Sequence, residues 1–136
     1  MRGTLVDTNI LLDLLTDDPV WVDWSVRQLD AAAIRGPLCV NGVIYAELSV
    51  RFKRIEEVDA VLDEAGIALE SVPRAALFLA GKAFQRYRAA GGGRNSVLPD
   101  FFIGAHAAVT NLTLLTRDVR RYRTHFPGVR LIAPET

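Results

Sequence analysis

An acidic residue stands where a short strand-like segment passes directly into a helical pattern, and this junction constrains the fold more than any other stretch. Residues 4–6 read as a buried strand, and Asp7 follows them at once. From Ile10 onward, apolar residues recur at helical spacing. In open α/β proteins, ligands bind beyond the carboxyl ends of the strands, where such a junction lies. Asp7 is therefore the first candidate functional residue.

Charge and length limit the kinds of protein that this chain can be. It has 136 residues, a usual size for one domain, and we expect residues 1–136 to form a single domain. The formal net charge is zero, which excludes a polycation that holds nucleic acid by total charge. Cys39 is the single cysteine, which excludes an internal disulfide. It lies in an apolar run, so we expect it in the core. No secretory leader or membrane-spanning run of ~20 apolar residues is visible, so we expect a cytoplasmic protein without membrane contact.

Strands and helices are predicted to alternate along the chain. We expect strands at about residues 4–6, 38–40, 67–69, 112–115 and 129–132. We expect helices at about residues 9–15, 19–34, 42–52, 55–64, 73–90, 99–110 and 118–122, and a flexible stretch at 91–96. Alternation requires crossover connections, which are right-handed almost without exception. The sequence therefore predicts an α/β fold, a three-layer α/β/α sandwich with a mainly parallel central sheet.

Four acids are predicted to meet at the carboxyl edge of this sheet. Asp7 follows the first strand, and Asp118 follows the strand that ends near residue 115. Asp100 falls in the first turn of a helix, and Glu47 lies just over a turn into the helix after the second strand. The three aspartates have an alternative explanation, because acids at helix N-termini stabilise the helix.

Glu47 is less easily explained by helix stabilisation. Its neighbours at helical spacing are Val43, Ile44 and Val50, with Arg51 completing the set. A carboxylate on this largely apolar stripe is costly unless it has a partner. Arg51 is one possible partner, and a metal ion is another.

A cluster of four carboxylates favours a cation. Two unit charges ~4 Å apart repel by about 4 kcal/mol at an effective dielectric of 20. Such a cluster either retains protons through raised pKa values or binds a cation, and oxygen ligands alone select Mg²⁺ or Mn²⁺. The chemistry that this site supports is phosphodiester hydrolysis. Thr8, Asn9 and Thr116 supply neutral oxygens or donors that could position waters.

The chain resembles a PIN domain, and specifically the VapC-type toxins of bacterial toxin–antitoxin pairs. Each motif is weak alone, and the resemblance depends on their order and spacing over essentially the whole chain. The motifs are Val6-Asp7-Thr8-Asn9, Tyr45-Ala46-Glu47-Leu48, Leu98-Pro99-Asp100 and Leu115-Thr116-Arg117-Asp118.

The resemblance implies a role for each matching residue. Asp7 and Asp100 are implied as the principal metal ligands, and Glu47 and Asp118 as acids that bind or orient a second ion or its waters. Thr116 is implied as the small hydroxyl residue that accompanies the last acid. The resemblance further implies RNA cleavage with Mg²⁺ or Mn²⁺, a homodimer, and an antitoxin partner whose C-terminal segment covers the groove and active site. DNA would be contacted only indirectly, through the antitoxin.

Arginines flank the predicted acids in the sequence. Arg120 and Arg123 belong to this basic set, and a solvated basic face is the alternative explanation for all of it. The arginines that we expect to contact RNA phosphates flanking the scissile bond are Arg86, Arg88, Arg94, Arg117 and Arg121.

Apolar and histidine residues yield weaker expectations. His106 and His125 have no partner pattern, so we expect packed or exposed side chains rather than catalytic bases. Five apolar residues could line an antitoxin groove, although ordinary core packing is favoured for any one of them. They are Trp21, Trp24, Ile55, Val58 and Leu62.

Three other functions are alternatives to that of a toxin ribonuclease. A phospho-accepting receiver domain also gathers acids and Mg²⁺ at this edge, but it would need an adjacent acid pair where Thr8 and Asn9 follow Asp7. A non-catalytic interaction domain would not need four intact acids. A nuclease that cuts structured DNA keeps the same fold, but the short chain lacks room for additional helical arches.

Overall fold

The computed structural model describes residues 3–93 and 98–134. These residues form five strands and seven helices. The strands are β1 (Thr4–Val6), β2 (Leu38–Asn41), β3 (Ile67–Glu70), β4 (Thr113–Leu115) and β5 (Leu131–Ile132). The helices are α1 (Thr8–Leu15), α2 (Val22–Arg35), α3 (Gly42–Ser49), α4 (Ile55–Ala65), α5 (Arg74–Ala89), α6 (Leu98–Thr110) and α7 (Val119–His125).

The five strands form one parallel sheet in the order β3-β2-β1-β4-β5. Leu5 of β1 pairs with Cys39 of β2 on one side and with Leu114 of β4 on the other. The chain runs outward from β1 to β3 and then returns to the opposite side for β4 and β5. Right-handed crossovers in both directions place helices on both faces, so the predicted three-layer α/β/α sandwich is confirmed. The direction changes between β1 and β4, and such a switch point opens the crevice in which α/β folds bind ligands.

Helix α2 begins later than predicted. The expected start was residue 19, whereas the helix begins at Val22. The Asp18 carboxylate accepts hydrogen bonds from the backbone N–H groups of Val20 and Trp21, at 2.9 Å each. These bonds hold the chain in a turn, as Asp side chains commonly do, and delay the helix by most of a turn.

The last strand is shorter than predicted. Residues 129–132 were expected, but only Leu131 and Ile132 pair with β4. The backbone N–H of Val129 donates to Phe126 at 3.0 Å, which keeps the preceding residues in a turn. A flexible stretch was expected at residues 91–96. Residues 94–97 lie outside the described residues.

The sheet and the inner faces of the helices form the core. Cys39 is buried with its thiol free, as expected. Val58 and Leu62 are also core residues, so the favoured expectation of ordinary core packing is confirmed for these two. Their positions on α4 face the sheet, since the helix is amphipathic and its apolar stripe is the buried one. No helix in the described ranges is both long and apolar enough to traverse a bilayer.

Candidate active site at the carboxyl ends of β1 and β4

Asp7 lies at the switch point, and its two carboxylate oxygens have different roles. Oδ1 accepts the backbone N–H of Thr8 at 2.8 Å and so caps α1. Oδ2 accepts the hydroxyl of Thr116 at 2.8 Å and lies 3.1 Å from the hydroxyl of Tyr122. Asp7 is only 4% exposed. The capping explanation is therefore confirmed for Oδ1, whereas Oδ2 is bound by side chains from the loop after β4 and from α7.

Burial makes the charge on Asp7 costly. It raises the pKa of the carboxyl to about 6, although the hydrogen bonds from Thr116 and Thr8 act in the opposite direction. Burial also raises the pKa of Asp100, while its hydrogen bond from Arg121 opposes that rise. Two acids with raised pKa values in one crevice indicate a site where a further positive charge would be stabilised.

Tyr122 lies between Asp7 and Asp100. Its hydroxyl is 3.1 Å from Oδ2 of Asp7 and 3.3 Å from Oδ1 of Asp100, and its ring is fully buried. Burial and the nearby charge of Asp7 raise the pKa of the phenol, which therefore stays protonated as a donor. Our sequence analysis did not assign Tyr122 a role. The available signal was its position four residues after Asp118, which places both residues on one face of α7.

An arginine of the chain itself contacts the acids. Arg121 donates a hydrogen bond from Nη1 to Oδ2 of Asp100, and the same nitrogen lies 3.9 Å from Oδ2 of Asp118. The side chain of Asp118 is 42% exposed and makes no capping bond to α7. Within residues 3–93 and 98–134, no three His, Cys, Asp or Glu side chains are grouped closely enough to hold a metal ion. In the described part of the chain, Asp7 and Asp100 therefore meet at Tyr122, and Arg121 rather than a third carboxylate lies against Asp100.

Glu47 joins the site through Thr8. The Thr8 hydroxyl lies 2.5 Å from Oε1 of Glu47, while the Thr8 backbone N–H donates to Oδ1 of Asp7. Arg51, one possible partner of Glu47, is exposed. The Glu47 carboxylate instead accepts the Thr8 hydroxyl. One threonine thus holds two of the four predicted acids.

Thr116 and Asn9 fix the loop between β4 and α7. The Thr116 hydroxyl bonds to Asp7 and accepts the backbone N–H of Asp118 at 3.0 Å. The Asn9 side chain accepts the backbone N–H of Arg117 at 3.1 Å through Oδ1. In this structure these two residues, expected to position waters, orient the acids themselves.

Arg117 has a partner that the sequence analysis missed. Its Nε and Nη2 bind the two carboxylate oxygens of Asp13 at 2.9 and 2.8 Å. Asp13 is 2% exposed and also accepts the Ser25 hydroxyl at 2.7 Å. The Arg117 guanidinium lies 5.0 Å from the ring centroid of Trp21. These contacts favour a structural role over the expected RNA contact, and the signal was a lone acid within the apolar pattern of α1.

The other expected arginines and histidines have different surroundings. Arg86 is exposed on α5, whereas the Arg88 guanidinium lies 5.9 Å from the ring of Phe84. Arg94 lies outside the described residues. His106 is buried, and His125 is half-buried, as expected for residues that are not catalytic bases.

The architecture matches solved toxin–antitoxin structures. It is similar to a chain of VapBC2 from Rickettsia felis, solved with a promoter DNA fragment, at 19% identity and TM-score 0.75, covering 98% of this chain and 100% of that chain. A toxin–antitoxin complex from Klebsiella pneumoniae matches at 21% identity and TM-score 0.70, covering 98% of each chain. VapBC-1 from nontypeable Haemophilus influenzae matches at 18% identity and TM-score 0.70, covering 97% of this chain and 98% of that chain. At these identities the similarity establishes the fold.

The sequence gives an independent comparison. No curated protein sequence is significantly similar to the chain. The family model described as PIN domain matches residues 4–127, which include all four predicted acids. The chain therefore belongs to the PIN domain family.

Proposed function

We propose that this chain is a Mg²⁺- or Mn²⁺-dependent endoribonuclease that acts as the toxin of a toxin–antitoxin pair. The observation that carries the proposal is the convergence of Asp7 and Asp100 on the switch-point crevice, where Tyr122 lies between them. Glu47 and Asp118 stand beside this pair, through Thr8 and Arg121 respectively. Membership of a family whose members are generally nucleases supports the same conclusion.

The residues at the crevice fit a hard divalent cation. The donors are carboxylate oxygens, which Mg²⁺ and Mn²⁺ prefer. Uncharged groups of Thr116, Thr8 and Tyr122 donate to the buried Asp7 carboxylate. Because these donors carry no positive charge, the negative charge of Asp7 remains available to attract a cation. Asp7 and Asp100 would hold the ion, and Glu47 and Asp118 would bind or orient a second ion or its waters. When bound, the ion supplies a water of lowered pKa and stabilises the leaving oxygen.

The remaining residues of the site prepare these acids for the reaction. Thr116 and Thr8 restrict Asp7 to one orientation, and hydrogen bonds of this kind preserve the geometry of metal ligands. Arg121 offsets the charge of Asp100 in the structure, and it would leave this carboxylate if Asp100 held an ion. Its side chain is 38% exposed, so the released guanidinium reaches solvent and can bind an RNA phosphate.

The partners follow from the relatives. Solved neighbours of this fold are VapBC and other toxin–antitoxin complexes, one of them bound to promoter DNA. We extend this to the present chain as a cognate antitoxin that covers the groove, a homodimeric toxin, and DNA contact only through the antitoxin. A cytoplasmic location belongs to the same proposal, because the RNA to be cleaved is there.

Cleavage of RNA by the purified chain tests the proposal. We expect cleavage with Mg²⁺ or Mn²⁺, none in EDTA, and a loss of at least about a hundredfold in Asp7→Asn and Asp100→Asn. Asp30→Asn is the matched control, because Asp30 is an exposed acid on α2. Full activity of Asp7→Asn, or equal cleavage in EDTA, would overturn the proposal. Parallel digestion of structured DNA decides the substrate, since cleavage of DNA alone would favour the DNA-cutting alternative.

A further inference from the structure

A second concave surface lies between the C-terminal end of α5 and helix α7. This α5–α7 cleft has a volume of about 520 Å³. Its polar lining consists of Arg86 and Tyr87 from α5 and of Thr124 and His125 from α7 and its end. Gly91 and Gly92 close the side nearest the α5–α6 connection. The volume falls within the range of about 300–1,000 Å³ that is typical of small-molecule sites.

The cleft adjoins the candidate active site. His125 follows Arg121 by four residues on α7, so the two side chains lie on one face of that helix. Arg121 contacts Asp100. The ring centroid of His125 also lies 4.8 Å from that of Phe101, the residue after Asp100. Arg121 and His125 of α7 therefore connect the cleft to the candidate active site.

The charge of the cleft suits an anion. Arg86 is exposed at its wall, and none of the described residues that line it is acidic. The pKa of His125 is lowered first by burial, and then by the positive charges of Arg121 and Arg86, which places both guanidinium groups within electrostatic reach of the imidazole. Positive potential from two arginines beside an acidic site is suited to the phosphates that flank a scissile bond.

The cleft also offers aromatic surface. The rings of Tyr87 and His125 meet edge to face, with centroids 5.4 Å apart and planes at 89°. Gly92 lies directly against the Tyr87 ring, since a Cβ at this position would be 2.5 Å from the ring. The absence of a side chain there allows the backbone to pack closely on the Tyr87 ring. Aromatic rings next to a cationic group are the elements with which proteins bind single-stranded nucleic acid.

We propose that the α5–α7 cleft is a nucleotide subsite for the RNA strand beside the scissile phosphodiester. Arg86 binds the phosphate of this nucleotide, and the aromatic surface of Tyr87 and His125 contacts its base or sugar. This inference rests on the proposed ribonuclease function. The sequence predicts the same RNA contact for Arg86 and Arg88, but the structure distinguishes them. Arg88 lies against Phe84 and does not line the cleft.

Binding of a fluorescein-labelled single-stranded RNA, followed by fluorescence anisotropy, tests the subsite. The Asp7→Asn chain in Mg²⁺ serves as the background, so that binding is measured without cleavage. We expect Arg86→Ala to raise Kd about fivefold to tenfold and to reduce the salt slope of binding by about 0.7, the loss of one phosphate contact to a single strand. Arg88→Ala, which removes the same charge from the same helix, is expected to change Kd less than twofold.

Two results would overturn the subsite. One is an unchanged Kd and salt slope in Arg86→Ala, and the other is an equal loss in Arg86→Ala and Arg88→Ala, which indicates diffuse charge attraction. Both variants are at exposed positions, and an unchanged unfolding temperature establishes that they fold. Failure of the ribonuclease proposal is distinguishable, because it appears as no metal-dependent cleavage by the unsubstituted chain. Failure of the subsite leaves that cleavage intact.

Discussion

Arg121 donates a hydrogen bond to the carboxylate of Asp100, so a cation of the chain itself lies against this acid. The sequence predicted that the acids repel unless a cation joins them. In the structure the cation is a guanidinium, which also lies 3.9 Å from Asp118. Arg121 therefore offsets the charge of Asp100, and under the proposed function it would compete with a divalent ion for this carboxylate.

Removing this internal cation should tighten metal binding. We expect Arg121→Gln to lower the Kd for Mn²⁺ about twofold to fivefold, the range for a partly exposed ion pair. Isothermal titration calorimetry measures the change, and Arg120→Gln, an exposed neighbour on α7, is the control. An unchanged or higher Kd in Arg121→Gln would contradict the competition.

The hydroxyl of Tyr122 should matter for metal affinity more than for folding. Tyr122→Phe removes a hydroxyl that lies within hydrogen-bonding distance of both Asp7 and Asp100 while keeping the buried ring. Loss of such a positioning bond typically weakens metal binding about 10- to 100-fold, and we expect a Kd increase for Mn²⁺ in this range. Tyr45→Phe is the matched control, because the Tyr45 hydroxyl bonds to Asp59 at 2.7 Å on the surface. Equal Mn²⁺ affinities in the two variants would exclude the positioning role.

The Asp13–Arg117 pair should contribute to stability. Arg117→Ala leaves the buried Asp13 carboxylate with only Ser25 as a side-chain partner, and removing one partner of a buried pair costs about 3 kcal/mol. Urea unfolding measures this loss. The double variant Asp13→Asn with Arg117→Ala should be more stable than Arg117→Ala alone, because the uncompensated charge is gone. A loss below about 0.5 kcal/mol in Arg117→Ala would favour the original assignment of this arginine to RNA.

His106 should make stability depend on pH. Asn41 accepts the Ile44 backbone N–H through Oδ1, which leaves its Nδ2 to donate to Nδ1 of His106 at 3.2 Å. His106 can accept this bond only as the neutral imidazole. Burial lowers the pKa of His106 below its ordinary value of 6.5, while the charge of Glu70 acts in the opposite direction. The unfolded chain therefore binds more protons, and the contribution of His106 to stability is present above pH 6.5 and lost as the pH falls through its folded pKa.

Comparison with His106→Gln isolates this term from the other titrating groups. We expect the unfolding free energy of the unsubstituted chain, minus that of the variant, to decrease from about pH 7.5 to about pH 5. Urea unfolding at a series of pH values gives the difference. A difference that does not vary with pH would exclude the proposed linkage.

The sequence predicted the features of the fold that follow from strand ends. Parallel strands finish at one edge, so the positions of Asp7 and Asp118 after two strands were enough to bring them together. The cap of α3 is equally local, because the Asn41 side chain accepts the backbone N–H of Ile44, three residues along the chain.

Long-range pairings lay beyond what the sequence alone could predict. Asp13 and Arg117 are 104 positions apart, and their contact depends on how α1 packs beside the loop after β4. Asp7 and Tyr122 are separated by 115 positions, and their contact likewise depends on the packing of α7. Spacing and composition predict which edge a residue reaches, whereas its hydrogen-bond partner is decided by packing.

We propose that Asp7 and Asp100 together hold the catalytic ion. The most direct measurement is an anomalous difference map from a crystal of the chain grown with Mn²⁺. We expect a manganese peak coordinated by both carboxylates, with the Arg121 guanidinium withdrawn from Asp100. A map in which manganese is absent from this crevice, or is bound elsewhere while Arg121 remains on Asp100, would contradict the proposal that these two acids hold the ion.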